Sequence, residues 1–258
     1  MIAEIAGLSP ADLHEVALGL GDDCLVLSHR LAEWTAHAPE LEEEVALANL
    51  ALDLLGQARS LLTLAGEAEG RGRDEDRLAY WRDDRDFRNV LLVEQPNSDF
   101  AVTMARQLFF STYQQLLYEQ MSASSQPQLA GIAAKGVMEA RYHVQHARLW
   151  TLRLGGGTEE SLRRMQAAVD QLWPYTAELF EPNPAWTRAA GWGAIPAPPS
   201  LKARWSEMVG AVLSPAGLEV PTFAGWQTGG RSGQHSEHLG HILAEMQHLH
   251  RSHPDATW

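Results

Sequence analysis

The amino-acid sequence predicts an all-α fold, a bundle of long helices with additional C-terminal helices. Apolar residues recur at helical spacing over stretches of about 25–30 residues, roughly 38–45 Å at 1.5 Å per residue. No strand-like alternation persists. Caps, prolines and glycines punctuate these stretches. Helices this long suit a bundle better than most other globular folds.

Taken in order, the first helix is expected over 9–37, with Ser9 as cap and Pro10 at its first position. Gly19 and Gly21 mark a place where it can break. Pro39 separates it from a second helix over about 40–68, whose start gathers Glu40, Glu42, Glu43 and Glu44. The helix dipole favours negative charge there. Residues 45–58 read VALANLALDLLGQA, apolar almost all round, which predicts a central, buried helix. Its polar positions, Asn49, Asp53, Gly56 and Gln57, form one narrow stripe. Residues 70–96 read as a polar connection with a short helix near 74–82. Asn97-Ser98-Asp99 caps a third helix to about 123. Pro127 opens a fourth, which Gly155-Gly156-Gly157 stops. Thr158-x-x-Ser161 starts a fifth, to about Phe180. The proline-rich stretch 181–200 reads as a loop. Helices follow near 200–213 and 236–252. A single domain is expected over 1–258, with a bundle core at about 9–180 and a C-terminal extension at about 181–258.

A net charge of −13 argues against nucleic acid or an anionic membrane as partner. Cys24 is the one cysteine, so no intrachain disulfide or thiolate cluster can form. With no activating histidine beside it, it reads as a small buried hydrophobe. The first residues have no basic region and no sustained apolar run, so neither a signal peptide nor a membrane span is expected, and the cytoplasm is the expected location. No G-x-S-x-G elbow, phosphate loop or dinucleotide fingerprint is present.

Several strings carry a resemblance. LALDLLGQAR (50–59), LLVEQPNSDFA (91–101), EARYHVQHAR (139–148), LWPYTAELF (172–180) and TGGRSGQHSEHLGHILAEMQ (228–247) resemble the C-subunit family of bacterial phenylacetyl-CoA epoxidase. The resemblance spans nearly the whole chain. It implies a ferritin-like four-helix bundle and a place in a multicomponent monooxygenase that epoxidises the aromatic ring of phenylacetyl-CoA. It also implies that a related A subunit holds the di-iron centre, that this chain pairs with it as a structural subunit, and that a reductase component supplies electrons through flavin and an iron–sulfur centre.

Such di-iron bundles take one Glu from each of two helices and Glu-x-x-His from each of the other two. Here the first helix offers Glu33. The second offers Asp53, with Gly56 three residues on. The third has no acid between Asp99 and Glu119, its middle holding Gln107, Ser111, Gln114 and Gln115. The fourth offers Glu139, followed by Tyr142 at i+3 and His143 at i+4. No metal, catalytic or cofactor-binding residue is therefore assigned. Glu33, Asp53, Lys135, Glu139 and His143 are expected to form a degenerate polar cluster, in which Lys135 and His143 stand in for the metal's charge. The plainer alternative makes Glu33, Asp53 and Glu139 helix-surface acids.

A literal Glu-x-x-His at Glu245–His248 sits among His235, His238, His241 and His250, and reads as a solvated or subunit-contacting face. Of the nine tryptophans, Trp173, Trp186, Trp192, Trp205 and Trp226 cluster late in the chain, as packing residues or interface anchors. Three functions follow: a non-catalytic subunit, a di-iron oxygenase using Glu33, Asp53, Glu139 and His143, or a free-standing helical binding protein. Homodimerisation of the isolated chain is a further expectation.

Overall fold

In a computed structural model, residues 7–222, 225–254 and 256 are described. They contain ten α-helices and no strand. Helices α1 (Pro10–Ala32) and α2 (Leu41–Glu69) form one antiparallel hairpin. The antiparallel sense shows in its cross-links: Cys24 reaches Gln57, while Ser28 donates to the Ala51 carbonyl. Helices α3 (Glu75–Tyr80) and α4 (Leu91–Glu94) lie in the connection to α5 (Phe100–Met121), which forms the second hairpin with α6 (Pro127–Gly155). The two hairpins make a ferritin-like four-helix bundle.

Most of the expected signals act where they stand. Ser9 and Asp99 cap α1 and α5, and Thr158 with Ser161 makes a reciprocal capping box on α7 (Glu159–Leu172). Helix α1 does not break at Gly19 or Gly21. Both glycines are sites of close approach: a β-carbon at Gly19 would lie 2.9 Å from the Arg231 guanidinium, and one at Gly21 2.9 Å from Leu62.

Four expectations need correction. Helix α1 stops at Ala32 rather than His37, in turns around Ala36, whose φ is 63°. Helix α7 stops at Leu172, because Pro174 has no amide hydrogen; two 3₁₀ turns carry the chain to Phe180. The stretch 181–200 is not all loop. Asn183 caps α8 (Pro184–Gly191), and α9 (Pro198–Leu213) starts on its prolines, each at a first-turn position where no amide hydrogen is needed. Finally, α2 is not buried all round: Leu41, Val45, Leu52 and Leu55 face solvent, because the neighbouring helices leave its back uncovered.

The last helix, α10 (Glu237–Ser252), packs against α3 and α4. The segment before it is threaded into the bundle. Buried Glu178 accepts the amides of Leu91, Gly229 and Gly230 at 2.7–2.9 Å. Arg231 pairs with buried Asp23 at 2.6 Å and lies over the Trp186 ring. His235 meets buried Glu94 at 2.8 Å, and Arg82 pairs with buried Asp22. The Glu178, Arg231 and His235 contacts tie the C-terminal region to α1 and α4, while Arg82 ties the connection after α3 to α1.

Candidate functional site

The interior between the hairpins is organised on Gln57 of α2, which is 5 % exposed. Its Nε2 donates to Glu139 of α6 at 2.8 Å. Its Oε1 accepts from Tyr118 at 3.0 Å and from Gln114 at 2.9 Å, both on α5, and from the Cys24 thiol of α1 at 3.6 Å. All four bundle helices thus meet at one amide. Gly136 makes this possible on α6, since a β-carbon there would lie 2.6 Å from the Tyr118 ring. Burial pushes the Cys24 thiol and the Tyr118 hydroxyl far above their ordinary pKa values. Both therefore keep their protons and serve as donors, which fixes the Gln57 amide with its oxygen toward them.

One turn along, His143 is buried and its Nε2 lies 3.1 Å from Asp53, which is partly exposed. Beyond it, His146 meets Glu43 at 2.8 Å. Asp53 and Gln57 on α2 thus face His143 and Glu139 on α6 as two bridges across the gap between hairpins.

The sequence-derived cluster of Glu33, Asp53, Lys135, Glu139 and His143 is divided by the fold. Asp53 and His143 meet, and Glu139 lies beside them through Gln57. Glu33 stands elsewhere, at the end of α1, held by Arg30 at 2.7 Å and Asn97 at 2.9 Å. Lys135 is exposed and makes no side-chain hydrogen bond or ion pair among the described residues. The neutral members, Cys24, Gln57, Gln114 and Tyr118, were not among the predicted residues. Gln57 and Gln114 were visible as polar residues on otherwise apolar helices; the part of Cys24 and Tyr118 has no local signal.

A di-iron group does not fit this donor set. Two dications need several anionic oxygens to hold and neutralise them. Here the centre offers two amides, a protonated thiol and a protonated phenol around a single carboxylate. Three donors already converge on the one amide oxygen. Asp53 and His143 satisfy each other one turn away.

In the C-terminal region, His241, Glu245 and His248 are exposed, and His250 stacks on Tyr80. His235 departs from the solvated reading: its ring bridges Glu94 and the Phe87 carbonyl in the interior. The tryptophans divide. Trp186 and Trp205 are buried and Trp173 packs on Trp205, whereas Trp192 and Trp226 are about half exposed.

Fold and interior together define a ferritin-like helix bundle whose centre is a hydrogen-bond network of amide, thiol and phenol groups around the Glu139 carboxylate. Comparison with known proteins then gives the relationship. Residues 6–258 match the family described as phenylacetic acid catabolic protein. The chain is also 50% identical, over 241 residues, to the C subunit of 1,2-phenylacetyl-CoA epoxidase from Escherichia coli (strain K12), covering 93% of this chain and 97% of that one. The chain belongs to the phenylacetic acid catabolic protein family.

Proposed function

We propose that this chain is the non-catalytic, structural subunit of a multicomponent epoxidase acting on the aromatic ring of phenylacetyl-CoA. It pairs with and stabilises a related A subunit that carries the di-iron centre, while a separate reductase brings flavin and an iron–sulfur centre. The complex works in the cytoplasm. The relative's name supports the reaction and the multi-subunit setting. The observation that carries the structural role is the Gln57 network, in which amide, thiol and phenol groups from all four bundle helices bond to one another around a single carboxylate. Such a network holds four helices in register without a metal. One helix, α2, has the length and apolar composition of a membrane span, and 44% of its most apolar window is buried inside this bundle.

The test is reconstitution. The chain is co-expressed with the catalytic subunit, the complex is assayed for iron and for phenylacetyl-CoA turnover, and each component is omitted in turn. The expected result is iron in the A subunit alone and no turnover by this chain alone. About two irons per copy of this chain, or turnover without the A subunit, would overturn the reading.

A further inference from the structure

Where the end of α1 meets the start of α5, a group of buried charges does not balance. Arg106 of α5 is 0 % exposed. Its Nη1 donates to the Gln95 carbonyl and its Nη2 to the Asn97 side-chain oxygen, each at 2.5 Å. Both acceptors are neutral. Its Nε–H is buried and has no acceptor among the described residues, and the guanidinium makes no ion pair there. The Asn97 oxygen cannot serve Nε as well, because it also takes the Thr103 hydroxyl at 3.3 Å. Arg30 of α1 is buried too, and its Nε and Nη2 donate to the Glu94 carbonyl at 3.1 and 2.7 Å. Two guanidinium groups thus share two consecutive carbonyls, and each repels the other. The acid that offsets them is Glu33, which is exposed; it takes Arg30 at 2.7 Å and Asn97 at 2.9 Å and acts on Arg106 only through its field. Two cations against that carboxylate leave one positive charge inside the fold. Burial and the nearby Arg30 pull Arg106 down to about 9, which still leaves it charged at neutral pH. A buried charge without a counter-charge is costly.

We propose that the Nε edge of Arg106 is the binding site of a small monovalent inorganic anion, chloride, which supplies the missing counter-charge. The excess is a single positive charge, so a single negative charge neutralises it. Arg106 is fully covered by its own chain, so a carboxylate on another subunit cannot reach it. Phosphate and sulfate carry more acceptor oxygens than one N–H can satisfy, and leaving the others buried is costly. Chloride is compact and takes the one donor that is free. Glu33 tunes the site from outside: its negative charge competes with the anion for the field of the two arginines.

This inference is independent of the structural-subunit reading: iron and turnover speak to that one, anion dependence to this one. The experiment is thermal unfolding of the full-length chain at constant ionic strength, with chloride replacing gluconate, an anion too large to enter. The midpoint is expected to rise by about 4 °C when chloride reaches about ten times its dissociation constant. Arg106→Met, which keeps an unbranched side chain without the charge, is expected to abolish that rise. Glu33→Gln, at an exposed position, is expected to keep the fold and to tighten chloride by about tenfold. Crystals grown in bromide are expected to show an anomalous peak against Arg106 Nε. If Arg106→Met does not fold, the Glu33→Gln comparison and the bromide position decide the matter. Equal midpoints in chloride and gluconate, for both the parent chain and Glu33→Gln, would overturn the proposal. So would a chloride-dependent rise that survives in Arg106→Met, or bromide found at adventitious surface positions only.

Discussion

A carboxylate only accepts hydrogen bonds, whereas an amide has a donor and an acceptor on one fork, and Gln57 uses both. Its nitrogen serves Glu139 while its oxygen receives Tyr118, Gln114 and Cys24. Gln57→Leu keeps the volume and removes every one of these bonds, leaving the half-buried Glu139 carboxylate unpaired and the buried Tyr118 phenol and Gln114 amide with only their longer contacts to each other and to Cys24. The expected loss is about 2–4 kcal/mol, read from urea unfolding. Lys135→Ala, by contrast, is expected to change stability by less than about 0.5 kcal/mol, because its side chain pairs with nothing described. His235 gives a pH signature. Burial alone would lower its pKa, but the hydrogen bond and charge of Glu94 outweigh burial and hold it above the ordinary imidazole value. The folded state therefore binds the proton more tightly than the unfolded one. The pair's stabilisation is full below the unfolded value of about 6.5 and is lost as pH rises through the raised folded value. Unfolding free energies at about pH 6 and about pH 9 are expected to differ less in His235→Asn than in the parent chain, beyond a common loss of stability.

At the scale of elements, what was legible in the sequence is what local chemistry determines. The long helices, the Ser9, Asp99 and Thr158 caps and the stop at Gly155–Gly157 all follow from residues within a turn of the feature they set. The α8 helix was hidden because its prolines look like breakers until Pro184 is recognised as a first-turn residue behind the Asn183 cap. Asn183→Ala is expected to destabilise by about 1 kcal/mol, measured by thermal unfolding. What was not legible depends on distant parts of the chain. Residues 24, 57, 114 and 118 become one network only once two hairpins face each other, so a scan for acids and histidines passes over them. Glu33 was misplaced for the same reason: its partner Asn97 lies 64 residues away. The glycines separate these two kinds of information. Gly131 in α6 has open space around it, so Gly131→Ala is expected to stabilise by about 0.5–1 kcal/mol through helix propensity and chain entropy. A β-carbon at Gly230 would sit 2.1 Å from the Asn89 carbonyl oxygen, so Gly230→Ala is expected to cost about 2 kcal/mol or more.

For the whole molecule, the question is whether the bundle and the C-terminal extension are separable. The bundle alone would retain α1, α2, α5 and α6, but its buried charges are completed from outside it. Asp23 lies in α1 and is 1 % exposed, and its cationic partner is Arg231. Glu94 is 0 % exposed and receives His235 and the Ser236 amide. Glu178 draws two of its amide donors from Gly229 and Gly230. Removing residues 181–258 leaves all three carboxyl groups in an apolar setting without these partners. Breaking a single buried pair by deleting one partner typically costs about 3–5 kcal/mol, and a whole domain has only about 5–15 kcal/mol to lose. The loss of Trp186 and Trp205 from the core adds to this. We therefore propose that the chain folds as one unit. A chain ending at Phe180 is expected to lack cooperative unfolding, and the full chain to unfold in a single thermal transition. A truncated bundle that melts sharply and remains monodisperse would show that the four helices stand without their C-terminal partners.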